Sequence, residues 1–173
     1  MALILPEVLN DFNLYGDGEK MIGQTGEVTL PDFTMITDTL QGSGVMGEIE
    51  DPVTGQFESA TMSFTWACLH ENYFKLVNTT KPVTLTLRAA LQCMDTETAY
   101  TDYYPVKIVV RGKAKTVNLG KAEKGKKMEC ETEIEVIYIK VEVNKKTLFE
   151  LDKLNGVYVL NGEDMLKKIR QYV

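Results

Sequence analysis

Between residues 57 and 143 apolar and polar side chains alternate with a period of two, the spacing of strands that bury one face. Over 57–66 the even positions Ala60, Met62, Phe64 and Trp66 oppose a hydroxyl row of Ser59, Thr61, Ser63 and Thr65. Over 83–93, Val83, Leu85, Leu87, Ala89, Leu91 and Cys93 oppose Thr84, Thr86, Arg88 and Gln92. Two longer strands are predicted over 104–119 and 127–143. A short turn at Asn144-Lys145-Lys146 and an apolar edge over 148–151 follow. Tyr15-Gly16-Asp17-Gly18 reads as a hairpin turn. In the 127–143 strand the polar row Glu129, Glu131, Glu133, Glu135 is odd, but from Ile137 onward the odd positions are apolar. This predicts a strand that changes its buried face partway, on leaving one sheet or meeting a neighbouring subunit.

Helical signals are few. A short amphipathic helix is expected over 70–78, with Tyr73, Phe74 and Val77 inward, and His70 at its start reads as a surface or capping residue. A second is expected over 163–172, capped by Asn161, with Met165, Leu166 and Ile169 as its stripe. Lys167, Lys168 and Arg170 then suit the C-terminal end of its dipole. The glycine-rich run Gln41-Gly42-Ser43-Gly44-Val45-Met46-Gly47, with 48–56 behind it, reads as one long flexible excursion between strands.

Composition fits one compact domain over 1–173: 44% hydrophobic, 25% charged, net charge −6. A chain of this length hides about 70% of its unfolded surface. The acidic balance disfavours a general nucleic-acid binder, which needs a basic surface. No apolar run approaches the ~20 residues of a membrane helix, so no direct membrane insertion is expected. The apolar start before Pro6 and Glu7 lacks a basic flank, pointing to synthesis and folding in a cytoplasm.

Candidate chemistry is thin. Cys68, Cys93 and Cys130 lack C-x-x-C spacing and read as three mostly buried thiols. The lone His70 has no sequence partner. The Gly42–Gly47 run mimics G-x-G-x-x-G, but no helical pattern follows it, as a phosphate loop requires. No metal site, cofactor or catalytic constellation is expected. Charge is more informative: residues 107–127 carry eight bases and one acid. A hairpin turning near Glu123 would set Lys115 against Glu131, Lys113 against Glu133 and Arg111 against Glu135. That face is either a solvated surface or the wall of an aqueous passage.

The ordered stretches Val28-Thr29-Leu30-Pro31, the Gln41–Gly47 run, Ala60-Thr61-Met62-Ser63-Phe64-Thr65-Trp66, Val109-Val110-Arg111-Gly112, Phe149-Glu150-Leu151-Asp152 and Asn161-Gly162 carry a resemblance over roughly 25–173. Together they resemble the major tail tube proteins of contractile-tailed bacteriophages and of phage-tail-like bacteriocins. The resemblance implies a mainly β fold, sandwich or barrel-like, with one short flanking α-helix and a C-terminal helix. Its inner sheet would join a hexameric ring barrel, and rings would stack into a hollow tube. The implied partners are further copies of the chain, a sheath protein, a tape-measure protein, and baseplate and tail-terminator proteins. DNA is implied only as passing cargo in a phage, or ions through a pierced membrane in a bacteriocin. The location would be a virion tail or an extracellular particle.

On that reading Ser59, Thr61, Ser63, Thr65, Glu129, Glu131, Glu133, Glu135, Arg111, Lys113 and Lys115 face the lumen. Gln41, Gly42, Ser43, Gly44, Val45, Met46 and Gly47 form the ring-stacking loop. A second reading is a β-sandwich module binding a glycan or protein through Tyr100, Tyr103 and Tyr104. An enzyme is a third, with no nucleophile–base pair to support it.

Overall fold

A computed structural model describes residues 4–21 and 24–173, and the side chains of all of these except 24–26. The first three residues of the apolar start therefore lie outside the described residues. The chain forms, in order, β1 (Ile4–Gly16), β2 (Glu19–Lys20), β3 (Gln24–Thr29), β4 (Met35–Leu40), β5 (Ile49–Phe57) and β6 (Thr61–Trp66). Then come α1 (Glu71–Leu76), β7 (Val83–Asp95), β8 (Thr101–Asn118), β9 (Cys130–Val143), β10 (Lys146–Asp152), β11 (Val157–Leu160), β12 (Glu163–Asp164) and α2 (Lys167–Arg170). The fold is mainly β, as expected, with antiparallel pairing throughout.

Among the described residues ten strands join in one sheet with the path β12-β11-β10-β9-β8-β7-β1-β2. β6 and β3 branch from β9. Among the described residues this path does not close into a barrel. The core lies on one side of it, filled by Leu14, Met62, Phe64, Trp66, Leu85, Val110 and Ile134, with Tyr73 and Leu76 of α1 packed in. The apolar sets read from β6 and β7 are the ones buried, apart from Leu91, which is half-buried. His70 caps α1, its Nδ1 accepting from the Asn72 N–H at 3.3 Å. Tyr73 and Leu76 are buried and Val77 packs against the core, but Phe74, expected inward, is exposed on the other side of this six-residue helix.

Strand β9 shows why alternation alone misleads. Arg111 pairs with Tyr138 while the next residue, Gly112, pairs with Val136, so Ile137 is an extra residue on β9. Such a bulge shifts side-chain parity by one. Polar residues Glu131, Glu133 and Glu135 before it, and Tyr138, Lys140 and Glu142 after it, therefore share a face, while Val136 and Ile139 stay buried. The expected change of buried face does not occur. What changes at Ile137 is the neighbour: β9 pairs β6 through Cys130–Glu135 and β10 from Tyr138 onward. Gly112 is required there. A Cβ on it would overlap the Glu135 carbonyl oxygen and lie 2.8 Å from Ile134 Cγ2.

Two further expectations are corrected. The C-terminal segment is not a helix over 163–172. Asn161 (φ 51°) and Gly162 (φ 83°) are the two-residue turn of the β11–β12 hairpin rather than a helix cap. Only Lys167–Arg170 is helical; Met165 and Ile169 are exposed, and Leu166 packs toward the core. The 48–56 segment is not loose chain either. It is most of β5, which pairs with β4 in a separate two-stranded hairpin closing from Leu40–Ile49. The glycine-rich run is the tip of that arm. Cys93 and Cys130 are buried, but Cys68 is exposed.

Asp17-Gly18 is the two-residue turn between β1 and β2, and Asn144-Lys145 the one between β9 and β10, both with positive φ.

Candidate functional site

The hydroxyl row and the glutamate row, read from separate strands, lie side by side. In the β6–β9 ladder Thr61 pairs with Glu135, Ser63 with Glu133 and Thr65 with Glu131. Cross-strand partners share a face, so the two rows form one polar surface whose reverse side is the buried row of Met62, Phe64 and Trp66. Ser59, just before β6, donates its hydroxyl to Glu135 Oε2 at 2.7 Å. Glu129 is exposed and lies outside the ladder, one residue before β9, with φ 54°.

The basic side arrives in a different register from the one expected. Lys113 pairs with Glu135, Thr116 with Glu133 and Asn118 with Glu131, while Arg111 pairs with Tyr138. The loop sets this offset, since it joins Asn118 to Glu131 and is not centred on Glu123; Lys115 on β8 and Ile137 on β9 each add one position to the ladder, and the two shifts cancel. Lys115 still reaches Glu135, with Nζ 3.7 Å from Oε2, and the Thr116 hydroxyl bonds the Glu133 carboxylate. A turn near Glu123 is present (Lys126 N–H to Glu123 O, 3.2 Å), but it lies inside a loop spanning 119–129.

Past the bulge the same face continues with mixed charge. Lys107 and Lys140 flank Glu142 at 3.6 and 3.2 Å. Their proximity holds the Glu142 carboxyl below its usual range, the Lys140 contact being the largest cause. Arg111 stacks on Tyr138, 5.2 Å from the ring centre, and approaches Asp152 at 3.5 Å. Tyr138 donates to Glu150 Oε1 at 3.0 Å. Burial first, then that carboxylate, pushes its phenol up to about 12. Burial pulls the Asp152 carboxyl upward. Hydrogen bonds from Asn155 and Leu154, with Arg111, outweigh this and hold it below the usual range.

Thr116, Asn118, Tyr138, Lys140 and Glu142 were not among the residues the sequence singled out for this face. Their signal was present in the alternation but hidden by the parity change at each extra residue.

The arm is the second feature. Both its legs leave the sheet at the Thr61 end of β6, since Thr29 of β3 pairs with Ser63 and β5 ends at Phe57. Ile36, Leu40, Ile49, Val53 and Met46 are exposed along it. A third is the outer half of β1, paired on one edge to β7, with Ile4, Leu5, Val8 and Leu9 exposed. Tyr100 and Tyr103 are exposed too, beside the turn that joins β7 to β8; Tyr104 is half-buried.

Set against known sequences, residues 6–173 match the family described as phage tail tube protein FII. The chain belongs to that family. It is 24% identical to the tail tube protein of Escherichia phage P2 over 174 residues, covering 99% of each chain. It is 26% identical to the major tail tube protein of Serratia phage KSP20, covering 94% of this chain and 92% of that one. Members of this family are structural parts of a phage tail, built by self-assembly. Groups of His, Cys, Asp or Glu able to hold a metal are absent among the described residues. No described helix is long and apolar enough to cross a membrane.

Proposed function

We propose that the chain is the repeating subunit of the inner tube of a contractile tail, one tail-tube domain in hexameric rings that stack into a hollow cylinder. The observation that carries this reading is the shared face of β6, β8 and β9. It is mainly polar and mixed in charge, with Val109 an apolar member, while its reverse is mainly apolar and buried, with Thr132 the buried polar residue there. In a ring that face is the wall of the passage, lined by Ser59, Thr61, Ser63, Thr65, Glu131, Glu133, Glu135, Arg111, Lys113 and Lys115, with Glu129 at its end. A wall of interleaved acids and bases lets a polyanion slide, where a basic wall would hold its phosphates.

The exposed apolar half of β1 is where a neighbour in the ring packs, since an unpaired edge of this length otherwise invites uncontrolled pairing. The tyrosines beside it belong to the same contact rather than to a glycan site. The arm, tipped by Gln41–Gly47, makes the contact between rings. A sheath outside, a tape-measure protein inside during assembly, and baseplate and terminator proteins at the ends complete the particle. The role is structural rather than catalytic. The cargo is DNA in a phage tail or ions in a bacteriocin.

Negative-stain microscopy and sedimentation of the purified chain test this. Rings or hollow tubes are expected. A protein that stays monomeric at high concentration, and is missing from the tubes of its native particle, would sink the proposal.

A further inference from the structure

The arm carries an imbalance that nothing in its own subunit relieves. From Met35 to Phe57 it bears four acids, Asp38, Glu48, Glu50 and Asp51, and no base. Asp38 and Asp51 are directly opposite in the β4–β5 ladder. Like charges opposed across a ladder destabilise it. Yet among the described residues no cation pairs with any of the four. Asp38 accepts from the Thr39 N–H, at 2.9 Å.

The complement lies elsewhere in the chain. The 119–129 loop holds Lys121, Lys124, Lys126 and Lys127, all exposed. Lys126 pairs with Glu123 at 2.7 Å; no ion pair is seen for the other three among the described residues. The loop cannot be the arm's partner within one subunit by direct continuation. It sits at the Trp66 end of β6, where Cys130 pairs with Trp66 and the Met128 N–H meets the Ala67 carbonyl at 2.8 Å. The arm leaves from the Thr61 end. Six residues of strand separate the two ends by roughly 17 Å.

We infer that the acidic arm of one subunit docks on the lysine loop of a second copy of this chain in the next ring, its Asp38–Asp51 pair taking a lysine between them. This rests on the tube reading above and names the partner surface of the arm. Two unlike surfaces at opposite ends of one subunit give a head-to-tail contact, and repeating it produces a filament that does not close. The contact is charge-driven at its rim, so stacking weakens as salt shortens the screening length from about 8 Å at 0.15 M to about 3 Å at 1 M. Ring closure through β1 is expected to be less salt-sensitive.

The test compares wild type, Asp38→Lys/Asp51→Lys, Lys124→Glu/Lys127→Glu, and all four changes together, by sedimentation and negative stain. Each pair alone is expected to cut the stacked fraction at least tenfold while single rings persist. The combined variant is expected to return to within threefold of wild type. Stacking unaffected by either reversal overturns the inference and leaves the tube reading intact. Wild type forming neither rings nor tubes overturns the tube reading itself. An independent measurement needs no variant: zero-length carbodiimide coupling of wild-type tubes assembled from mixed isotope-labelled and unlabelled subunits. Mixed-isotope peptides joining residues 38–51 to 121–127 are expected; their absence in stacked tubes would also overturn the docking.

Discussion

Thr132 is fully buried among apolar neighbours, and its hydroxyl accepts a hydrogen bond from Trp66 Nε1 at 3.0 Å. Replacing it with valine keeps the volume but leaves a buried indole N–H without an acceptor. That penalty is about 1–3 kcal/mol. The new methyl group recovers part of it, at most about 0.8 kcal/mol by its apolar area. With the full methyl gain counted, the expected net loss is about 0.2–2 kcal/mol, and in a chain of this size Tm falls by roughly 2–4 °C per kcal/mol. The same change in a Trp66→Phe background removes no hydrogen bond, because no indole remains. There Thr132→Val is expected to be neutral or stabilising, giving a coupling energy of about 1–3 kcal/mol in the double-mutant cycle, the methyl gain cancelling between backgrounds. Urea unfolding followed by far-UV circular dichroism measures all four proteins. Repeats at two low protein concentrations exclude dissociation from the transition. An unchanged or raised stability of Thr132→Val in the Trp66 protein would refute the reasoning, as would an equal loss in both backgrounds.

Gly112→Ala is expected to cost at least about 3 kcal/mol or to yield insoluble protein, since a Cβ there meets β9 backbone at the bulge; soluble expression and a melting curve check it. Cysteine at Thr61 or Glu133 is expected to react in intact tubes with small thiol reagents but not with reagents too large to enter, and cysteine at Met62 with neither; equal labelling of Thr61→Cys by both sizes would place that face outside. Tyr138, with its phenol raised from 10 to about 12, favours the folded state while neutral, so its contribution is full below pH 10 and is lost as pH rises from 10 to 12. Tyr138→Phe should flatten the stability profile across that window, measured by urea midpoints at each pH.

The alternation on β6 and β7 was sufficient to name the buried and exposed sides of both, because parity is a local property and neither sequence is interrupted by an extra residue. The turn at Asp17-Gly18 was legible for a similar reason: two positive φ angles in sequence are a local demand that few residues meet. Strand β1 was not legible. Its ladder with β7 shifts register between Pro6 and Val8 and again between Leu9 and Asp11, which scrambles any period of two. Residues 41–56 read as a flexible excursion because β4 and β5 leave most of both faces exposed and bury only the side chains of Met35 and Phe57, in part, at the base, so no amphipathic pattern marks them. The C-terminal stripe of Met165, Leu166 and Ile169 has helical spacing. Pairing of Val159 with Asp164 and Leu160 with Glu163 took the start of that segment into the sheet instead.

The polar face divides in the same way. Each row of it, hydroxyls on β6 and glutamates on β9, was fixed by its own sequence. That Thr61 stands beside Glu135 and Ser63 beside Glu133 was a matter of which strands pair and in what register. Register depends on residues distant in the chain and on single extra positions such as Lys115 and Ile137, whose effect on parity is visible only once both strands are in place.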